Sequence, residues 1–109
     1  KEILVVFQPH LFSRTRDFIE DFASALSKFD DVLLLDIYPA RETPIVGVDS
    51  NWLLSKIENE RKKLTQKHNL IKDIKNSSAK VVVMLGAGDI GVLVNEVTSE
   101  LLKALEYEA

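Results

Sequence analysis

The sequence predicts an α/β fold, a mostly parallel sheet flanked by helices on both faces in three layers. Ile3 to Phe7, Val32 to Ile37 and Val81 to Leu85 are continuous apolar runs. An unbroken apolar strand has both faces buried, which suits a parallel sheet between helices. Around these runs apolar residues recur at three- and four-residue spacing, the helical period. The strand runs alternate with the helical stretches, the order from which right-handed crossovers build a parallel sheet.

Taken in order, Ile3 to Phe7 is the first strand. Thr15 to Phe29 is a helix with Phe18, Ile19, Phe22, Ala23, Leu26 and Phe29 on one face. Ser13 or Thr15 is its expected cap, and Asp17, Glu20 and Asp21 suit its positive end. Val32 to Ile37 is the second strand. A second helix follows the caps Asp49 and Ser50, turning Trp52, Leu53, Ile57 and, further along, Leu64 inward. Glu58 to Lys63 with Lys67 is expected to be a solvated charged face, and His68 a surface residue. Asn69 to Lys72 is expected as a short strand, Ile74 to Asn76 as a helical turn, and Asn76-Ser77-Ser78 as a loop. Val81 to Leu85 is the last strand. A final helix starts near Asp89 or Ile90 and carries Leu93, Val94, Val97, Leu101, Leu102 and Leu105.

Composition narrows the function classes. The 109 residues have the size of one domain, and a net charge of −3 lacks the basic face that nucleic acid or an anionic membrane requires. Without cysteine there is no disulfide, thiolate metal site or thiol nucleophile, and with only His10 and His68 as imidazoles no metal site is expected. No apolar run is long enough to span a bilayer. The opening Lys1-Glu2-Ile3 enters a strand without a Met, which reads as a domain boundary within a longer chain.

In parallel α/β sheets ligands sit at the carboxyl ends of the strands, so three loops matter: Gln8 to Arg16, Tyr38 to Val48 and Gly86 to Gly91. The first holds His10, Arg14 and Arg16 with the hydroxyls of Ser13 and Thr15 at a helix start, a setting for phosphate or carboxylate. The second carries Tyr38, Arg41 and Glu42 between two prolines that stiffen it. The third, Gly86-Ala87-Gly88-Asp89-Ile90-Gly91, has the Gly-x-Gly-x-x-Gly spacing between strand and helix. A dinucleotide site is rejected, because that fingerprint ordinarily opens the first βαβ unit and needs an acidic residue on the next strand. What remains is a glycine turn with exposed amides, with Asp89 a candidate cap. There is no phosphate loop with lysine and no nucleophile beside a base, so the chain offers binding and orienting groups without a catalytic engine of its own.

Phe7-Gln8-Pro9-His10 running into Ser13-Arg14-Thr15-Arg16-Asp17 resembles the signature opening the C-terminal domain of the UDP-N-acetylmuramate–L-alanine ligases, of the Mur ligase family. Asp36-Ile37-Tyr38-Pro39-Ala40-Arg41-Glu42, then Pro44-Ile45 and Gly47-Val48-Asp49-Ser50, resembles the family's next block, and Gly86 to Ile90 its last. The resemblance implies a Rossmann-like third domain, cut from a cytoplasmic three-domain enzyme, that brings the amino acid. The N-terminal domain then binds UDP-N-acetylmuramate, and the central one supplies ATP and most of the Mg2+ binding. ATP activates the muramyl carboxylate as an acyl phosphate, which the amine of L-alanine attacks. By position, the resemblance assigns Asp17 and His10 to catalysis. It assigns Phe12, Arg14, Thr15, Arg16, Tyr38, Arg41, Glu42, Gly86, Gly88 and Asp89 to binding substrate or nucleotide. The alanine carboxylate falls to Arg14, Arg16 or Arg41, the choice left open. Leu11 stands where the family often has a basic residue and Phe12 where it often has tyrosine, so the hydrogen bond of that hydroxyl is missing. The fragment alone is expected to be inactive. The alternatives are a tripeptide-recycling ligase of the same family and a non-catalytic α/β binding or regulatory domain. The latter in receiver form lacks the acidic cluster after its first strand.

Overall fold

Four parallel strands form one sheet in the order β3-β2-β1-β4, with β1 Ile3–Gln8, β2 Asp31–Leu34, β3 Lys62–Leu64 and β4 Val81–Gly86. The helices are α1 Phe12–Asp17, α2 Ile19–Leu26, α3 Ser50–Lys56, α4 Leu70–Lys75 and α5 Ile90–Glu108, with a 3-10 turn at Lys67–Asn69. This computed structural model describes residues 2–86 and 90–108, the stretch 102–108 by its backbone alone.

Strand alternation splits the core in two. Leu4 and Val6 of β1 and Leu33 of β2 pack with Leu70 and Ile74 of α4 and Leu93 and Val97 of α5. On the other face Val5, Val32 and Leu34 pack with Ile19, Ala23 and Leu26 of α2, with Leu53 of α3 and with Ile57 just after it. The expected three layers are present, and the sheet is parallel throughout. Asp49 caps α3 by accepting from the amide of Trp52 at 2.8 Å. Ser50 instead ties that helix to the sheet, its hydroxyl donating to the carbonyl of Leu35 at 2.6 Å.

Several expectations are corrected. The first helix is broken at Phe18, starts at Phe12 rather than Thr15 and ends at Leu26, where Ser27 turns its hydroxyl onto the carbonyl of Ala23. β2 ends at Leu34 rather than Ile37, although Leu35 and Ile37 stay buried and the amide of Leu35 still donates to the carbonyl of Phe7 at 2.9 Å. The charged run Glu58 to Lys63 is largely exposed as expected, but it contains the start of β3, which also takes Leu64 out of the α3 helix. Two lysines in three residues hide this strand from any hydrophobic pattern, and such charges belong on a sheet edge. Asn69 to Lys72 is not a strand, since Leu70 and Ile74 are an i, i+4 pair that buries one stripe of α4. Val94, expected in the core, is exposed on α5.

Asp73 fastens the β3 edge to α4. Its buried carboxylate accepts from the hydroxyl of Thr65 and from Nζ of Lys63 at 2.9 Å. Burial pushes the Asp73 carboxyl up, but the hydrogen bonds from Thr65 and Lys63 and the charges of Lys63 and Lys72 outweigh it and hold it below its ordinary value. A depressed folded pKa adds stability that is whole above the unfolded value near 3.8 and is lost as pH falls through the folded one. Asp73→Asn is therefore expected to lower stability at pH 7 and to flatten the acid limb of a stability–pH curve. An acid limb as steep as wild type would show that other carboxylates set it.

Candidate functional site

The strand order reverses direction at β1, with β2 on one side and β4 on the other, so the switch point lies between the carboxyl ends of β1 and β4. Gln8 and Gly86 face each other there as the last register pair. A Cβ on Gly86 would lie 2.7 Å from the carbonyl oxygen of Gln8, and the residue has a φ of +149°, so only glycine fits. Gly88 and Asp89, the other expected site residues of this turn, lie outside the described residues.

Beyond the strands, the β1 and β2 loops are joined to each other. The amide of Tyr38 donates to the carbonyl of Pro9 at 2.8 Å and that of Leu11 to the carbonyl of Tyr38 at 2.9 Å, forming an isolated parallel bridge between His10 and Tyr38. Their rings stack with centroids 5.9 Å apart and planes 25° from parallel. Leu11, at φ +72°, takes a conformation that side chains other than glycine rarely adopt, and α1 starts on the next residue. Strain of this kind persists only where surrounding contacts impose it.

Glu42 supplies one of those contacts. Its carboxylate accepts from the amide of Ser13 at 3.1 Å and from the hydroxyl of Ser13. The helix has no side-chain cap of its own, so a carboxylate 29 residues away caps it. The hydrogen bonds from the Ser13 hydroxyl and the Ser13 amide hold the Glu42 carboxyl below the ordinary carboxylate range. The helix start that reads as a seat for a ligand anion is thus already filled by the protein. Ser13 is the carboxylate's partner and not a cap. Thr15 is fully buried and donates to the carbonyl of Leu11 at 2.8 Å, so it has no surface to offer a ligand.

The guanidiniums differ. Arg16 Nε donates to Asp17 Oδ1 at 2.8 Å, and this hydrogen bond with the charge of Asp17 raises the pKa of Arg16 further. Both side chains are about half exposed, so the pair adds little stability. Arg14 and Arg41 are exposed, and neither has an ion-pair partner among the described residues. Phe12 is half-buried as the first residue of α1. The structure therefore brings together His10 with Tyr38, Ser13 with Glu42 and Arg16 with Asp17.

A cleft of about 390 Å³ opens at the carboxyl ends of β1, β2 and β3, with Gln8, Asp36, Tyr38, Thr65 and His68 among its lining residues. Nothing in the sequence marks Thr65 for a role, and His68 reads there as a surface residue. Both follow β3, so a strand hidden by its lysines also hides their place beside Asp36 and Tyr38. No three carboxylate or imidazole groups come together to hold a metal among the described residues. The guanidiniums of Arg14, Arg16 and Arg41 and the imidazole of His10 on these loops suit phosphate or carboxylate oxygens, and they stand on the same loops as the carboxylates Asp17, Asp36 and Glu42. No helix among the described residues is long and apolar enough to cross a membrane.

No family model matches the chain. It is similar over its full 109 residues, at 66% identity, to the UDP-N-acetylmuramate–L-alanine ligase of Christiangramia forsetii, covering 23% of that protein. The enzyme of the same name from Flavobacterium psychrophilum is 59% identical over 93% of the chain and 22% of its own length. That of Porphyromonas gingivalis is 54% identical over 86% of the chain and 21% of its own length. The chain thus spans less than a quarter of the curated relatives it matches.

Proposed function

We propose, from the premise that this chain belongs along its whole length with the UDP-N-acetylmuramate–L-alanine ligases, that it is the C-terminal, amino-acid-binding domain of such a cytoplasmic ligase. The whole protein joins L-alanine to UDP-N-acetylmuramate for the cell-wall precursor, with ATP as the phosphoryl donor. The observation that carries this is the unbroken similarity at 66% identity over all 109 residues. The geometry supports it, since Arg14, an exposed guanidinium with no ion-pair partner among the described residues, lies on α1 shortly after the His10 imidazole of the β1 loop.

In this reading the first and central domains hold the UDP-sugar, ATP and Mg2+, and ATP converts the lactyl carboxylate to an acyl phosphate. The present chain delivers the nucleophile. Arg14 pairs with the carboxylate of alanine through two parallel hydrogen bonds, which leaves the amine pointing away from it. The amine nitrogen attacks the acyl carbon, phosphate leaves with the electrons of the broken C–O bond, and His10 accepts the proton that nitrogen sheds. Asp17 keeps Arg16 on the nucleotide side of α1. Holding the amine in line with the acyl phosphate supplies the rate, so the isolated domain is expected to be inactive.

The test is ADP release by the full-length protein with UDP-N-acetylmuramate, ATP and magnesium, comparing L-alanine with L-serine, glycine and a tripeptide. Alanine-dependent turnover is expected. Arg14→Ala should lose roughly 10- to 100-fold in kcat/KM for alanine, the worth of a charge-assisted pair. Turnover with tripeptide alone would move the protein to the recycling branch. A folded, ATP-binding protein that turns over no amine would sink the ligase reading.

A further inference from the structure

We infer that Glu42 is a positioning residue: by capping α1 from the β2 loop it latches the two loops together and sets the direction in which Arg14 is presented. This rests on the ligase reading only for the identity of the ligand, because the latch itself is drawn from contacts within the chain.

The geometry is convergent. On the β2 side, Ala40 has φ +53° and the amide of Glu42 donates to the carbonyl of Pro39 at 2.9 Å, a tight turn that aims the Glu42 side chain back toward β1. On the β1 side, Leu11 is held at φ +72° by the hydrogen bond its amide donates to the carbonyl of Tyr38, so α1 leaves the sheet at an angle that its own residues do not favour. The carboxylate reaches across and takes both the amide and the hydroxyl of Ser13. Arg14 is the very next residue, and α1 is six residues long, too short to hold its own axis. A small rotation at Leu11 would therefore redirect the Arg14 side chain. The same carboxylate also occupies the helix start, so an anion is left to the exposed guanidiniums, Arg14 among them. Glu42 thus acts on the ligand through Arg14 and need not touch it.

Two measurements on the full-length protein test this. Amide exchange is read across residues 12–17 in wild type, Glu42→Ala, Glu42→Gln and Ser13→Ala. Glu42→Ala should speed exchange at Ser13 and its helical neighbours while the core strands stay protected. Glu42→Gln, which keeps one acceptor, should recover part of that protection. In the ADP-release assay Glu42→Ala should raise KM for L-alanine about tenfold or more with KM for ATP little changed, the mark of a misaimed binding group. Ser13→Ala should add no further rise in the Glu42→Ala background, since Glu42→Ala already removes the hydroxyl contact that Ser13→Ala deletes. Unchanged exchange in residues 12–17 overturns the latch whether or not the protein turns over. Faster exchange with unchanged KM for alanine, or additive effects of the two substitutions, overturns the positioning role. A wild type without amine-dependent turnover refutes the ligase reading, and the exchange result then decides the latch by itself.

Discussion

Gly86→Ala is expected to lower the stability of the fold by roughly 2–4 kcal/mol and to loosen the junction of β1 and β4. Two effects add. At φ +149° an L side chain is strained, and its Cβ would lie 2.7 Å from the carbonyl oxygen of Gln8 and 3.1 Å from the Gln8 Cβ. The first of these atoms belongs to a backbone held in the sheet and cannot swing aside. Relief requires the ends of β1 and β4 to part at their last register pair, Gln8 with Gly86. For a domain of this size such a loss is a fall in Tm of about 10–20 °C. Gly91→Ala is the control. Gly91 stands in α5 with open space around the position of a Cβ, and alanine there should be neutral or stabilise by up to about 1 kcal/mol. Thermal melts of both variants decide the matter, and a Gly86→Ala protein that melts with wild type would show that the strand ends part freely.

Leu34→Ala should cost about 2–5 kcal/mol, the usual penalty for deleting a fully buried leucine whose surroundings cannot collapse. Leu34 has no exposed surface, and it packs under α2 and α3 with Val5, Leu53 and Ile57. Its carbonyl also accepts from the amide of Thr65 at 2.8 Å, so the residue joins the core to the last hydrogen bond between β2 and the segment after β3. Urea unfolding should show a lower midpoint with an unchanged m-value, as expected when the same surface is exposed on unfolding. Val46→Ala, at a position with 100% exposure, should stay within about 0.5 kcal/mol. Equal effects of the two substitutions would mean that the sheet does not pack as described.

Much of the site was legible because its signals are local. Tyr38 and His10 stand directly after apolar strands, and residues directly after parallel strands must gather at one edge of the sheet. Gly86 announced itself by type and place. Other roles were invisible because they depend on partners distant in sequence. Nothing beside Glu42 shows that it will meet Ser13. Nothing beside Thr15 shows that a hydroxyl near two arginines will be buried against the carbonyl of Leu11. Thr65 and His68 could not be placed beside Asp36 until β3 was recognised, and β3 carries two lysines where a pattern search seeks valines.

The α/β class, the β1, β2 and β4 runs, the helical stripes on either side and the three loops at one end of the sheet are all written in the order of residues. They can be read there because hydrophobic period and two-sided burial are properties of near neighbours. Four other features waited for the folded chain: where α1 begins, which arginines lack an ion-pair partner among the described residues, what fills the first helix start and which lysine-rich segment closes the sheet. Such features hang on contacts between distant residues, such as Ser13 with Glu42 at a separation of 29 or Lys63 with Asp73 at 10. The free energy of such a contact appears only after the sheet has brought its two ends together.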